Sequence, residues 1–227
     1  MTGIADNVEC VRERVAAAAA RAGRGAADVM LVAVAKTRPA ADVRAAVAAG
    51  VRVVGENRIQ EAEPKLAELA DVDCAWHMVG HLQRNKAGKA VHLFDMIESL
   101  DSPRLADALD RHGEAEGKRV PVLIEVNTSG EDTKFGVAPG EAEAFAGYVA
   151  DRRYLSLEGL MTVGPLGAGL GATAGAFRTL RGLFEKLAPS AGPSFRYLSM
   201  GMTDDFELAI EEGSNLVRVG RAIFGER

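Results

Sequence analysis

One pattern runs through the whole chain: a short apolar run, a polar or glycine-containing turn, then a stretch whose apolar residues recur at helical spacing. The apolar runs lie at 29–35, 51–55, 75–79, 94–99, 120–127, 157–163, 195–200 and 216–219. The helical stretches lie at 40–49, 59–70, 85–92, 103–116, 139–151, 172–187 and 204–212, with a further helix at 5–22 ahead of the first strand. Alternation of this kind means parallel strands joined by crossover helices. Eight units favour a closed (β/α)8 TIM barrel, here with an extra N-terminal helix, and 227 residues is near the lower end of that fold's usual size. No linker divides the chain, so residues 1–227 are expected to form a single domain. The glycine-rich segment 164–175, GPLGAGLGATAG, is too short for a boundary and reads as a mobile loop after the sixth strand.

Composition narrows the class. With 48% hydrophobic and 26% charged residues, and no apolar stretch near the ~20 residues a bilayer span needs, the chain reads as globular with no membrane partner. Its first residues, MTGIAD, lack the basic region and apolar core of a secretory signal, so a cytoplasmic location is expected. Cys10 and Cys74 have neither the number nor the spacing of a disulfide framework or metal site and read as reduced thiols. A net charge of −5 argues against nucleic acid as a partner, and the local cluster Arg84, Lys86 and Lys89 reads as a solvated helix surface.

In a barrel the chemistry gathers at the C-terminal ends of the strands. Lys36 follows the apolar run VMLVAVA and so stands at such an end. A lysine there is commonly a solvated end-cap, yet one that loses part of its hydration becomes nucleophilic at neutral pH and can form a Schiff base with an aldehyde. The same rim collects Glu56 and Asn57 after strand two, Gly80 and His81 after strand three, Asn127 and Thr128 after strand five, Thr162 on strand six, 199–203 after strand seven, and Gly220 with Arg221 after strand eight.

The last two loops, SMGMT (199–203) and VGRAIFG (219–225), occupy the positions where this fold commonly holds phosphate. Ser199 offers a hydroxyl, Gly201 and Gly220 let the backbone approach closely, and Arg221 offers either charge or a backbone N–H. Asp204 and Asp205, expected in the first turn of the following helix, would repel an anion there. The phosphate is therefore expected nearer Gly220 and Arg221, with Ser199 reaching across. A lysine for an aldehyde beside a phosphate site describes pyridoxal 5′-phosphate (PLP). Arg218 lies within the apolar strand NLVRV, where a charge is costly unless it serves a polar site. An arginine facing the pyridine nitrogen would keep it unprotonated and weaken the cofactor as an electron sink, which suits storage or racemase-like chemistry.

The segments VAVAKTRP, GENRIQEAEPK, WHMVGHLQRNK, ESLDSPRLADAL, VLIEVNTSGEDTKFGV, LEGLMTVGP and LSMGMTDDFELAIEEGSNLVRVGRAIFGER resemble the pyridoxal phosphate homeostasis protein family, over nearly the whole chain from about residue 31 to its end. That family is similar in fold to the N-terminal barrel of alanine racemase. The resemblance implies that Lys36 is the Schiff-base lysine, that Arg218 faces the pyridine nitrogen, that Ser199, Gly220 and Arg221 hold the phosphate, and that Asn57 lies near the ring. Arg58 stands where many relatives have tyrosine, Thr203 where serine is frequent, and Arg221 where a small hydroxyl residue is usual, which puts the Arg221 side chain in question.

Two functions follow. A carrier would hold PLP and deliver it to apo-enzymes that use it, with effects on vitamin B6 balance and no established turnover. An amino-acid racemase would need an acid/base group on each face of the substrate, and with the chain ending just after strand eight the tyrosine nearest such a role is Tyr197, which shares an inward parity with Ser199. The spacing of His77 and His81 suits two zinc ligands only on a helix, and here it falls at a strand end, so His81 reads as a rim residue near the cofactor. Glu125 points into the barrel and is expected to pair with an inward basic group, while 128–136 reads as a mobile loop beside the site. Monomer and weak dimer are both compatible with these features.

Overall fold

The structure, a computed structural model, describes residues 3–131, 133–165 and 167–226. In chain order its elements are α1 (Ile4–Arg21), β1 (Met30–Val34), α2 (Ala40–Ala48), β2 (Val53–Glu56), α3 (Ile59–Glu68), β3 (Ala75–Met78), α4 (Ala87–Leu93), β4 (Met96–Leu100) and α5 (Pro103–Glu116). There follow β5 (Val120–Glu125), α6 (Ala142–Ala150), β6 (Leu155–Met161), α7 (Leu170–Ala191), β7 (Tyr197–Ser199), α8 (Phe206–Glu211), β8 (Leu216–Val219) and α9 (Arg221–Phe224). The eight strands are parallel and close into a barrel, with β8 pairing β1 from Met30↔Leu216 to Ala33↔Val219. The expected fold class is the observed one. No helix among the described residues is long and apolar enough to cross a membrane.

Period-two alternation builds the interior in layers. Val32, Val53, Met96, Leu123, Met161 and Leu216 form an apolar layer, with Tyr197, Met30 and Ala75 packed against it. Two residues further along five of these strands come His77, Glu98, Glu125, Ser199 and Arg218, all buried. A polar layer therefore lies directly on the apolar one, on the side of the C-terminal rim. The outward faces pack under the helices in a continuous second core. Helix α1 adds Val8, Val11, Val15, Ala18 and Ala19 to that core, and Arg14 on it donates to both carboxylate oxygens of Glu207 of α8 through Nε and Nη2.

Several boundaries differ from the expected ones. The segment 164–175 is only partly a loop, because α7 begins at Leu170; Leu166 lies outside the described residues. Burial of Thr173, Ala174, Ala176 and Phe177 drives the early start, while Gly171 and Gly175 face open space. Helices α4 and α6 are preceded by 3-10 turns at Arg84–Lys86 and Pro139–Glu141, which shortens both. Helix α9, which buries Ile223 and Phe224, is too short to show a helical period.

Candidate functional site

Pairing registers fix what meets at the rim. Val34 pairs with Gly55, so two residues on Lys36 stands level with Asn57. Ala33 pairs with Val219, so Gly220 and Arg221 leave the sheet beside the same segment; a Cβ on Gly220 would lie 3.1 Å from the Val34 carbonyl. Lys36 thus stands between the β2 loop and the β8 loop. It is exposed rather than desolvated, a correction to the sequence reading. The strand ends at Val34, and Thr37 turns the chain outward at φ 64°, a left-handed conformation costly for a β-branched residue.

Beneath the rim the polar layer is a continuous network. Glu98 is fully buried and accepts from His77 Nδ1 at 2.8 Å and from the Ser199 hydroxyl at 2.6 Å. Ser199 Oγ in turn accepts from Arg218 Nη1, whose guanidinium also donates to the Thr162 carbonyl at 2.7 Å. Arg218 lies 3.8 Å from the Glu98 carboxylate. Burial would raise the Glu98 carboxyl, but the His77 bond and charge, Arg218 and Ser199 outweigh it and hold the group below its ordinary value. Burial lowers the Arg218 guanidinium, opposed by Glu98, Glu125 and Asp205, and it remains a cation. The expected pairing of Glu125 is present only as a through-space attraction to Arg218: the arginine's close contact is with Glu98, and burial together with Asp101 outweighs Arg218 and pushes the Glu125 carboxyl up to about 7.

On the β2–β3 side, Asn57 rests against Gly80, where a Cβ would lie 2.5 Å from the Asn57 carbonyl, so only glycine fits. Asn57 Oδ1 is buried with no hydrogen-bond partner among the described residues. His81 sits at the rim with Nδ1 3.0 Å from Asp101, and its ring stacks on half-exposed Phe135 at 3.6 Å between centroids. Asn57, Gly80, His81, Gln83 and Lys86 line a cleft of about 570 Å³. The loop 128–136, of which Asp132 lies outside the described residues, is tied by Asn127 to the Glu131 carbonyl and by Lys134 Nζ to the Gly164 carbonyl.

On the β8 side, the Arg221 side chain turns outward and pairs with Asp204, leaving its backbone N–H at the start of α9 for the rim. Thr203 Oγ1 lies 3.5 Å from the Ala222 N–H, so this hydroxyl, not Ser199, stands beside the α9 amides. Ser199 is instead enclosed by Glu98 and Arg218. Helix α8 begins later than expected, at Phe206, with Asp205 accepting from the Met202 N–H at 2.6 Å. Tyr197 points inward but at the far end of β7, where it lines a cavity of about 790 Å³ with Met30, Val53, Arg196 and Asn215. It packs with the apolar layer, and the polar layer lies between it and the Lys36 rim.

The alanine racemase N-terminal domain family matches residues 7–227. A pyridoxal phosphate homeostasis protein of Pseudomonas aeruginosa is 43% identical over 227 residues, spanning 100% of this chain and 97% of that protein. The chain belongs to the pyridoxal phosphate homeostasis protein family. A crystal structure of an unknown protein from Bifidobacterium adolescentis superposes with a TM-score of 0.91 at 42% identity, covering 97% of this chain and 94% of that one. PipY of Synechococcus elongatus, in a structure with PLP bound, superposes with a TM-score of 0.81 at 39% identity, covering 95% of this chain and 100% of that one.

The residues present fit that cofactor's chemistry. An exposed amine, a buried guanidinium one layer below, backbone amides at the start of α9 and an orphaned Asn57 acceptor converge on one rim. The sequence reading missed Glu98, the partner of both Ser199 and His77. Its signal was available, since Glu98 stands two residues after Met96 and shares that inward parity.

Proposed function

We propose that this chain binds pyridoxal 5′-phosphate at the C-terminal rim of its barrel and serves PLP homeostasis as a non-catalytic carrier in the cytoplasm. The observation that carries the reading is the placement of Lys36 between Asn57 and the Gly220–Arg221 loop, one layer above Arg218. Bound there, PLP supplies an aldehyde that condenses with a primary amine to a Schiff base and releases water. Lys36 provides that amine. The N–H groups of Arg221 and Ala222, with the Thr203 hydroxyl, would form the phosphate cradle, where the backbone amides of a helix start favour an anion.

Arg218 would face the ring nitrogen and, being permanently protonated, would donate to it instead of giving it a proton. Ser199 and Glu98 hold that guanidinium in place, and Asn57 and His81 would flank the ring. A non-catalytic role is supported by the position of Tyr197, which packs with the apolar layer beneath the polar one and so supplies no second base at the rim. The exposed Cys10 thiol suits a reducing compartment. Apo-enzymes that use PLP are the recipients in this reading.

The test is the visible spectrum of protein incubated with PLP, then borohydride reduction and peptide mapping. A yellow protein whose adduct maps to Lys36, and a colourless Lys36→Ala variant, are expected. An adduct elsewhere, or none, overturns the binding site. For the carrier role, transfer of cofactor to an apo-enzyme is expected without entry of solvent deuterium at Cα of L- or D-alanine. Exchange that disappears in Tyr197→Phe would overturn it.

A further inference from the structure

Both peptide planes that flank the Cα of Lys36 are held by side chains from one helix. The Ala35 carbonyl, part of the plane before Lys36, accepts from Lys65 Nζ at 2.9 Å. The Thr37 N–H, part of the plane after it, donates to Glu61 Oε2 at 3.0 Å. Glu61 and Lys65 are four residues apart on α3 and so share one face. Because peptide units are planar, holding the two flanking planes fixes the backbone torsions of Lys36 and the direction in which its side chain leaves the chain.

Neither contact is what a surface helix needs for its own stability. Lys65 is only 7% exposed and its ammonium also donates to Glu56, which is fully buried with its other oxygen unpaired among the described residues. A buried ion pair at such a position is commonly no more stable than an apolar pair, so its presence calls for another reason. Thr37 holds a left-handed torsion that an L-residue avoids, and Glu61 bonds the amide that this torsion presents.

We propose that Glu61 and Lys65 are positioning residues for Lys36, setting the direction from which its amine meets the cofactor aldehyde. This inference rests on the binding reading given above. Preorganising the amine removes part of the ordering cost of binding. Loss of either clamp, with the charge of Glu56 removed where Lys65 is replaced, weakens PLP binding while the barrel stays folded.

Four variants test it: Glu61→Ala, Glu61→Gln, Lys65→Met, and Glu56→Gln with Lys65→Met. The measurements are PLP titration by absorbance and hydrogen exchange of the Thr37 amide in protein without added PLP. Glu61→Ala is expected to weaken binding about tenfold, the loss of one charge-assisted bond, and to speed Thr37 exchange. Glu61→Gln, whose amide oxygen still accepts from Thr37, restores most of both. Lys65→Met strands a buried carboxylate and can unfold for that reason alone; the double variant removes the charge and still lacks the bond to Ala35. Weak PLP binding in a double variant that melts near wild type supports the proposal. Unchanged affinity in Glu61→Ala and in the folded double variant would overturn it. If the wild type forms no lysine adduct, the binding reading fails, while Thr37 exchange still reports whether α3 orders this segment.

Discussion

Glu125 and Glu98 occupy the same interior layer with opposite outcomes. Glu98 has His77, Ser199 and Arg218 around it and is held as an anion. Glu125 has no hydrogen bond to its carboxyl among the described residues, and burial lifts it from 4.5 to about 7. A carboxyl raised in the folded state binds more protons there than in the unfolded chain between those values, so stability falls as pH rises from 4.5 to about 7. At about 1.4 kcal/mol per pH unit, the full interval bounds the cost at about 3 kcal/mol. Glu125→Gln is therefore expected to stabilise the protein by about 1–3 kcal/mol at pH 8 and by little at pH 4.5. Urea unfolding at the two pH values checks this; equal effects at both would show that the carboxyl is not buried as an acid.

At the scale of elements, the β6–β7 seam depends on one glycine. Gly159 pairs with Tyr197 beside the irregularity between β5 and β6, and a Cβ on it would lie 1.8 Å from the Tyr197 carbonyl oxygen. Gly159→Ala must push the two strands apart and is expected to cost at least about 3 kcal/mol. Gly175→Ala makes the same chemical change in α7, where the added methyl meets nothing, and is expected to gain up to about 1 kcal/mol. Denaturant midpoints of the two variants should move in opposite directions, and parallel shifts would refute the assigned register. The eight strands were legible because a strand buried on both faces is an apolar run. The start of α7 was not, because glycines on its solvent face hide a helix whose buried face is intact. The rim positions of Lys36, Asn57, His81 and Gly220 were legible from strand ends. The partners of Ser199 were not, because Glu98 lies 101 residues away and only barrel closure brings them together.

For the whole molecule, the decisive geometry is that the barrel closes β8 onto β1, so Lys36 and the Gly220–Arg221 loop follow the first and last strands. PLP bound to both would bridge the closing seam, and the free energy of that bridge adds to global stability because the unfolded chain offers no such pair of sites. At a free concentration about a hundred times the dissociation constant, one site contributes about 2.7 kcal/mol. For a chain of 227 residues this corresponds to a rise in Tm of about 5–10 °C. On the proposed reading, pyridoxal, which carries the aldehyde without the phosphate, would reach Lys36 alone and leave the start of α9 unbridged. At equal concentration it is expected to raise Tm by less than half as much, and Lys36→Ala should lose most of the response to either. Thermal scans of wild type and variant with each ligand separate the two attachments. An equal rise with pyridoxal and with PLP would mean that the β8 loop holds no phosphate, and the seam would have to be closed by protein contacts alone.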